Sequence, residues 1–267
     1  MPPSGDTPSH TWAAMSNRLV LCYHAISDRW PAPLSVSPER LEEQLTFLTR
    51  RGYHARTFAD TLAMPGGERS LAITFDDAFA SVYRNAFPVL RALRVPGTVF
   101  VPTALVDTGA PMSWAGIERW LDGPHAAELI GMSWSELGEL AEAGWEIGSH
   151  TRTHARLTTL GDEALRVELR ESREDCRQHL GLACRTLAYP YGAVDARVVD
   201  ATRAAGYTAA AAPPNRLPGD RRLRWPRVGV YPEDDLRRFR LKVSPVGWFL
   251  RNSRAWAPIA RAARRPR

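Results

Sequence analysis

The chain has 267 residues, of which 44% are hydrophobic and 24% charged, with a net charge of +6; this is the balance of a globular protein. No apolar run approaches the roughly 18 residues of a membrane span, so a soluble protein is expected, and the length suits one α/β barrel, commonly about 250 residues. Ten of the 35 basic residues fall in 236–267, which holds no acidic one, leaving 25 against 29, or −4, for the rest; basicity absent from the body, with no recognition motif, excludes nucleic acid as the expected partner.

In chain order, residues 1–18 are rich in Pro, Ser and Thr and read as a flexible N-terminal segment. The apolar run that follows, LVLC, is shorter than a signal-peptide core of about 7–15 residues, so the expected compartment is the cytoplasm. Cys22, Cys176 and Cys184 form no CxxC pair and suit buried thiols in a reducing compartment. Short β-like runs then recur: LVLCYH (19–24), SLAITF (70–75), GTVFVPT (97–103), WEIGSH (145–150), CRTLAYP (184–190), YTAAAA (207–212) and PRVGVY (226–231), with YHARTF (53–58) a candidate extra strand.

Helical patterns lie between them. Ser37-Pro38 followed by Leu41, Leu45 and Leu48 has a cap, a first-turn proline and one apolar face. Residues 79–94, 133–143, 162–180 and 195–205 read similarly, with Gly144, Gly181 and Gly206 as C-terminal stops. This alternation predicts a parallel sheet with helices outside, a distorted (β/α)7-8 barrel in preference to an open doubly wound sheet, over residues 19–235. Residues 236–267 read as a basic amphipathic tail, with Phe239, Trp248, Phe249, Leu250, Trp256 and Ile259 among the arginines. Such a segment either packs as a last helix with a frayed end or lies peripherally on an anionic inner membrane surface.

Polar residues gather at the ends of these runs: His24, Asp76 and Asp77, Thr103, His150, and Tyr191 with Gly192. In parallel α/β barrels those are the ends that build active sites. In GSHTRTH (148–154), His150 and His154 stand four apart, a spacing that on a helical turn lets two imidazoles share one ion. On their own they read equally as two polar histidines in a surface turn. The familiar metallopeptidase helix has a glutamate base directly after the first histidine, where this chain has Thr151, so any base comes from elsewhere.

LAITFDDAF supplies candidates, because Asp76 and Asp77 stand where a strand stops and a helix begins. Either could simply cap that helix. Joined with the histidines, however, one aspartate and two imidazoles make a three-ligand site with open positions, as in catalytic metal centres. The second aspartate is then free to act as base on water whose pKa a metal can bring from 15.7 toward about 7.

TFDD at 74–77, HTRTH at 150–154 and YPYG at 189–192 together resemble the polysaccharide deacetylases of carbohydrate esterase family four, over roughly residues 19–230. The resemblance implies a distorted barrel of seven or eight β/α units and metal-dependent removal of acetyl from an N-acetylated sugar or polysaccharide. It further implies Asp76 as general base, Asp77, His150 and His154 as metal ligands, and the Tyr191 backbone N–H as an oxyanion donor. Pro190 and Tyr191 become candidate substrate contacts. Trp114, in the stretch 106–134 with Trp120 and Trp134, is a third, through stacking on a sugar ring, although packing serves equally. The donor set suits zinc, with nickel or cobalt also fitting.

Two departures from the family pattern stand out. Ala188 occupies the place of an arginine that orients the base, and Arg227 is the candidate replacement, with a structural salt bridge as its alternative. The late leucine-x-histidine that supplies the general acid is absent, since no histidine follows His179. Cys22-Tyr23-His24 resembles the Tyr-His of a permuted branch acting on poly-glucosamine, which makes His24 the candidate acid or else a core histidine. A same-fold hydrolase of a ureide or formamide, or a glycan-binding relative without catalysis, remain the alternative functions.

Overall fold

A computed structural model of the chain describes residues 17–65, 67–214, 220–244 and 247. The first apolar run forms β1 (Arg18–Tyr23), followed by two-residue strands β2 (Ala25–Ile26) and β3 (Ser35–Val36) that pair with each other. The Ser37 side chain caps α1 (Pro38–Thr49) by accepting from the Arg40 N–H, and Leu41, Leu45 and Leu48 form its buried face with Gln44. β4 (His54–Arg56), α2 (Phe58–Ala63), β5 (Ser70–Phe75), α3 (Phe87–Leu93) and β6 (Thr98–Val101) follow. Then come α4 (Trp134–Glu142), β7 (Glu146–Ser149), α5 (Asp162–Leu180), β8 (Thr186–Ala188), α6 (Ala196–Ala204) and β9 (Ala209–Ala212). The chain continues through β10 (Trp225–Pro226) and β11 (Val228–Gly229) to α7 (Leu236–Val243).

The main sheet runs β10-β9-β8-β7-β6-β5-β1-β11. Its pairings are parallel, and β1 and β5 align over six pairs from Arg18↔Ser70 to Tyr23↔Phe75. The other edge of β5 is shared: β4 takes its first half (His54↔Ser70) and β6 its second (Thr74↔Thr98). Closure comes from one bent segment, because β10 pairs with β9 while β11 pairs with β1. The hand-over falls at Arg227, whose N–H reaches Ala212 O at 3.1 Å, before the Val230 N–H reaches Cys22 O at 2.9 Å. The expected single strand 226–231 is therefore broken, and the barrel is nearly closed.

Strand alternation sorts the side chains between two cores. Leu19, Leu21, Leu71, Ile73, Phe75, Val99, Val101 and Leu187 pack outward with the helices. Val20, Ala72, Phe100, Ala188, Ala209 and Ala211 instead cluster with Phe58 and Leu62 of α2 and with Trp225, filling the barrel. Beneath them the Glu146 carboxylate accepts from the Thr186 and Thr98 hydroxyls and the Ala59 N–H, at 2.6, 3.3 and 2.8 Å. Gly148 is required by this filling, since a Cβ there would stand 2.7 Å from the Phe100 ring and the Thr186 hydroxyl. With the interior solid, chemistry is confined to the C-terminal ends of the strands.

Residues 79–94, expected as one helix, contain a π-turn (Val82–Ala86) before α3. Pro88 has no N–H to donate back into that turn, and the widened turn also holds β2: Ser81 Oγ accepts from the Ile26 N–H at 3.2 Å and Asn85 donates to Ile26 O at 2.6 Å. The stretch 106–134 forms 3-10 turns at Glu118–Trp120 and Ala126–Leu129 over a small core of Ala25, Trp30, Phe79, Met112, Ile117 and Leu129. At the C-terminus, Phe239 is buried edge-on to Phe47 of α1 at 6.4 Å, so residues 236–243 pack on the barrel. The other apolar residues of the expected tail, Trp248, Phe249, Leu250, Trp256 and Ile259, and all but the last two residues of the expected N-terminal segment, lie outside the described residues. Among the described residues no helix is long and apolar enough to cross a membrane, and Cys22, Cys176 and Cys184 are buried free thiols.

Candidate metal centre and active site

Asp76 directly follows β5, its N–H still bonded to Tyr23 O at 3.0 Å. The chain then turns through two left-handed residues, Asp77 (φ 72°) and Ala78 (φ 53°). A regular strand would send successive side chains to opposite faces; this turn brings both carboxylates to one pocket. Across it, β7 ends at Ser149 and the His150 N–H bonds to Val101 O at 2.8 Å. His150 and His154 converge without the helical turn that their spacing suggests, because Thr151 (φ 66°) and His154 (φ 61°) are left-handed. With Tyr191 (φ 58°), five of the seven non-glycine residues of positive φ among the described residues belong to this site. Such backbone costs about 1–3 kcal/mol each and persists where surrounding structure imposes it.

The enforcing groups are identifiable. Glu168, on the buried face of α5, accepts from the Arg152 and Thr153 N–H groups through Oε2, both at 2.9 Å, and from Thr153 Oγ1 through Oε1 at 2.6 Å. Ser149 Oγ accepts from the Thr151 N–H at 3.0 Å. Sequence reasoning missed Glu168; its signal was a carboxylate among Leu165, Leu169 and Ser172 on a helix's buried face. Thr103, noted for its strand-end position, donates to Asp175 at 2.5 Å and its N–H reaches Thr151 O at 3.2 Å, so it supports the histidine loop from outside.

Asp77 Oδ1 lies 3.3 Å from His150 Nε2 and 3.1 Å from His154 Nε2. All three side chains are buried, and Oδ1 has no hydrogen-bond partner of acceptable geometry. His150 Nδ1 stands 2.8 Å from Ala188 O; a carbonyl can only accept, so Nδ1 carries a proton and Nε2 is the nitrogen turned toward Asp77. A carboxylate oxygen and two imidazole nitrogens turned toward one another in a buried pocket suit a divalent cation between them. Ligands about 2.0–2.2 Å from a tetrahedral zinc stand about 3.3–3.5 Å apart, so the donor set and its spacing fit a divalent ion. Burial would raise the Asp77 pKa, but the His150 and His154 imidazoles outweigh it and hold the carboxyl well below its usual range.

Asp76, beside this trio, pairs with Arg227. Nη1 and Nη2 of the guanidinium bind Oδ1 and Oδ2, each at 2.6 Å, and Nη1 also donates to Thr74 Oγ1 at 3.0 Å. Against the upward push of burial, Arg227 holds the Asp76 pKa down to about 2. Cys22 Sγ lies 3.5 Å from Asp76 Oδ2, and His24 stands beside them with a buried, unpartnered Nδ1.

The wall comes from the remaining motif. Pro190 is buried, whereas the Tyr191 ring is exposed, edge-on to His154 at 4.8 Å with the Arg156 guanidinium 4.3 Å over its face. Trp114 stacks on His154 at 4.1 Å and 25°, which commits one indole face to a ring of the metal trio. Trp134 lies elsewhere, stacked on His179 at 4.4 Å, and Trp120 packs edge-on to Trp30. The structure thus brings together Asp76, Asp77, His150, His154, Arg227, His24, Tyr191 and Trp114.

The polysaccharide deacetylase family model matches residues 63–210, more than half of the chain and including TFDD, HTRTH and YPYG. A poly-β-1,6-N-acetyl-D-glucosamine N-deacetylase of Staphylococcus aureus is 27% identical over 171 residues, 59% of this chain and 54% of that protein; the chain thus spans about half the length of the curated relative. Among solved structures, a polysaccharide deacetylase from Bacillus cereus is 26% identical with a TM-score of 0.70, covering 85% of this chain and 68% of that one. IcaB from Ammonifex degensii is 25% identical with a TM-score of 0.63, covering 88% and 97%. With the barrel, the ordered motifs and the buried Asp-His-His cluster in agreement, the chain belongs to the polysaccharide deacetylase family.

Proposed function

We propose that this protein is a metal-dependent N-deacetylase that hydrolyses acetamido groups of an N-acetylated glycan to acetate and a free amine. The observation that carries the reading is the paired arrangement of Asp76 and Asp77: adjacent carboxylates, one facing two imidazoles and the other a guanidinium. Asp77, His150 and His154 would hold the ion, which we take to be zinc, with nickel or cobalt as alternatives of similar donor preference. When bound, a divalent cation supplies Lewis acidity to an acyl oxygen and lowers the pKa of water.

The chain's own groups carry the proton traffic. Asp76 removes the proton of the attacking water, and Arg227 keeps Asp76 ionised and oriented as a positioning residue. The Tyr191 backbone N–H donates to the developing oxyanion; one such donor contributes about 3–4 kcal/mol at best. His24, as imidazolium, delivers a proton to the departing nitrogen while the C–N bond breaks. Pro190 and Tyr191 line the acetyl side, and Trp114 steadies His154 while offering its edge to the sugar.

Asp76→Asn tests the reading. It should abolish acetate release from N-acetylglucosamine oligomers, by about 10²-fold or more for loss of a general base, while the bound metal measured by elemental analysis stays the same. Unchanged turnover removes Asp76 from the role of base, and activity confined to ureides or formamides in a parallel panel moves the substrate class away from sugars.

A further inference from the structure

A second cluster of metal-ligating side chains shares the floor of this site. Cys22, near the end of β1, and His24, just beyond it, meet Asp76, and one donor atom from each of the three lies within 4.8 Å of the others. Cys22 is 8% exposed and Asp76 4%. His24 Nδ1 is buried without a hydrogen-bond partner, a state that costs free energy unless something else satisfies the nitrogen. Thiolate, imidazole and carboxylate together are a donor set for borderline and soft cations. The reaction proposed above employs His24 and Asp76 and leaves Cys22 without a task.

We propose that Cys22, His24 and Asp76 form a second, weaker divalent-metal site for zinc, cadmium or cobalt, and that its occupation withdraws Asp76 and His24 from the reaction, so that excess metal inhibits the enzyme. Binding is simple exchange: the Cys22 S–H proton leaves to solvent as the sulfur–metal bond forms, with no change of oxidation state. Arg227 remains on Asp76, whose oxygens retain further lone pairs. Its positive charge beside the cluster makes this site the weaker one, filled after Asp77, His150 and His154. Magnesium, which prefers oxygen donors, does not bind there. The inhibitory consequence rests on the roles proposed for Asp76 and His24; the binding does not.

The test titrates cadmium and cobalt into the metal-free full chain by equilibrium dialysis, follows the thiolate-to-metal charge-transfer absorption, and measures acetate release against zinc concentration. The unaltered protein should take up two equivalents, with the absorption growing alongside the second, and its turnover should rise and then fall. Cys22→Ser keeps a hydroxyl beside Asp76 but offers a poor ligand. It should bind one equivalent, lack the absorption and move the falling limb at least about tenfold higher in zinc, given that losing even an outer partner of a metal site costs about 10–100-fold in affinity. Cys22→Ala, checked by circular dichroism for folding, should behave alike; Cys176 and Cys184 are common to all three proteins, so the difference reports Cys22. A serine variant that still binds two equivalents with the same absorption, or an unaltered protein that saturates at one, overturns the site. A second equivalent bound through Cys22 with turnover undiminished establishes the site and overturns the roles given to Asp76 and His24.

Discussion

The Arg227 guanidinium holds both oxygens of Asp76 at 2.6 Å from the hinge where β10 hands over to β11. The cation that orients the candidate base thus comes from the closing segment of the barrel, and Ala188, on β8, leaves the interior free for it. Burial pushes the Asp76 pKa up and Arg227 is the largest influence against it, so removing the cation should raise it from about 2. In Arg227→Gln the acid limb of kcat/KM should therefore move to higher pH, because the base must be ionised to act, while metal content is retained. The stability effect has the same origin. A depressed carboxylate pKa stabilises the fold above its unfolded value and loses that contribution as pH falls through about 2; in the variant this contribution is absent. A uniform fall in kcat/KM with the acid limb unmoved would leave Arg227 a structural ion pair only.

Removal of the metal should be as informative as removal of its ligands. Treatment with a strong chelator should abolish acetate release, and adding back zinc, cobalt or nickel should restore it to different extents, which identifies the preferred ion. Asp77→Asn or His154→Gln should weaken metal binding by more than the roughly 10–100-fold expected for an outer partner. Full activity in stripped protein, or metal retained by both variants, contradicts the assignment of the trio.

Asp76, Asp77, His150 and Tyr191 were legible because each sits at the end of an apolar run, and a parallel barrel sends all such ends to one rim. Arg227 was legible as a candidate, but the geometry was not, since the break that aims it depends on two different strands competing for five residues. The four-residue spacing of His150 and His154 would suit a helical turn but does not establish one; the actual device is left-handed backbone at Thr151 and His154, which no spacing rule predicts for threonine or histidine. For Trp114 the sequence leaves sugar stacking and packing equally open, and only the fold reveals that His154 occupies one of its faces. Glu168 escaped because its partners are backbone N–H groups of a loop.

That carboxylate should be separable from the chemistry. Glu168→Gln removes charge-assisted acceptors of two N–H groups, worth about 1.5–3 kcal/mol each, from a loop whose strain depends on them. The expected result is a metal affinity lowered about 10–100-fold, read by competition with a chromophoric chelator, with kcat largely recovered at saturating zinc. A lowered kcat at full metal occupancy would instead give Glu168 influence on the reaction itself.

Gly148 links the barrel filling to the site. A methyl group there would approach the Phe100 ring to 2.7 Å, and Phe100 cannot retreat easily, with Phe58 packed edge-on at 5.6 Å and the Arg227 guanidinium 5.5 Å from its ring. Gly148→Ala should therefore destabilise the fold by about 1–3 kcal/mol, the usual range for overpacking, measured as a lowered urea midpoint in the presence of chelator so that metal binding does not contribute. The same push should reach Asp76 through Arg227 and lower kcat at full metal occupancy. Phe100→Leu opens space beside residue 148, so the double variant should lose less stability than the two single losses combined, a coupling that adjacent residues typically show at about 0.5–3 kcal/mol. Additive losses would mean that the methyl is accommodated by backbone movement of β7, in which case His150, two residues on, should show it first as weakened metal binding.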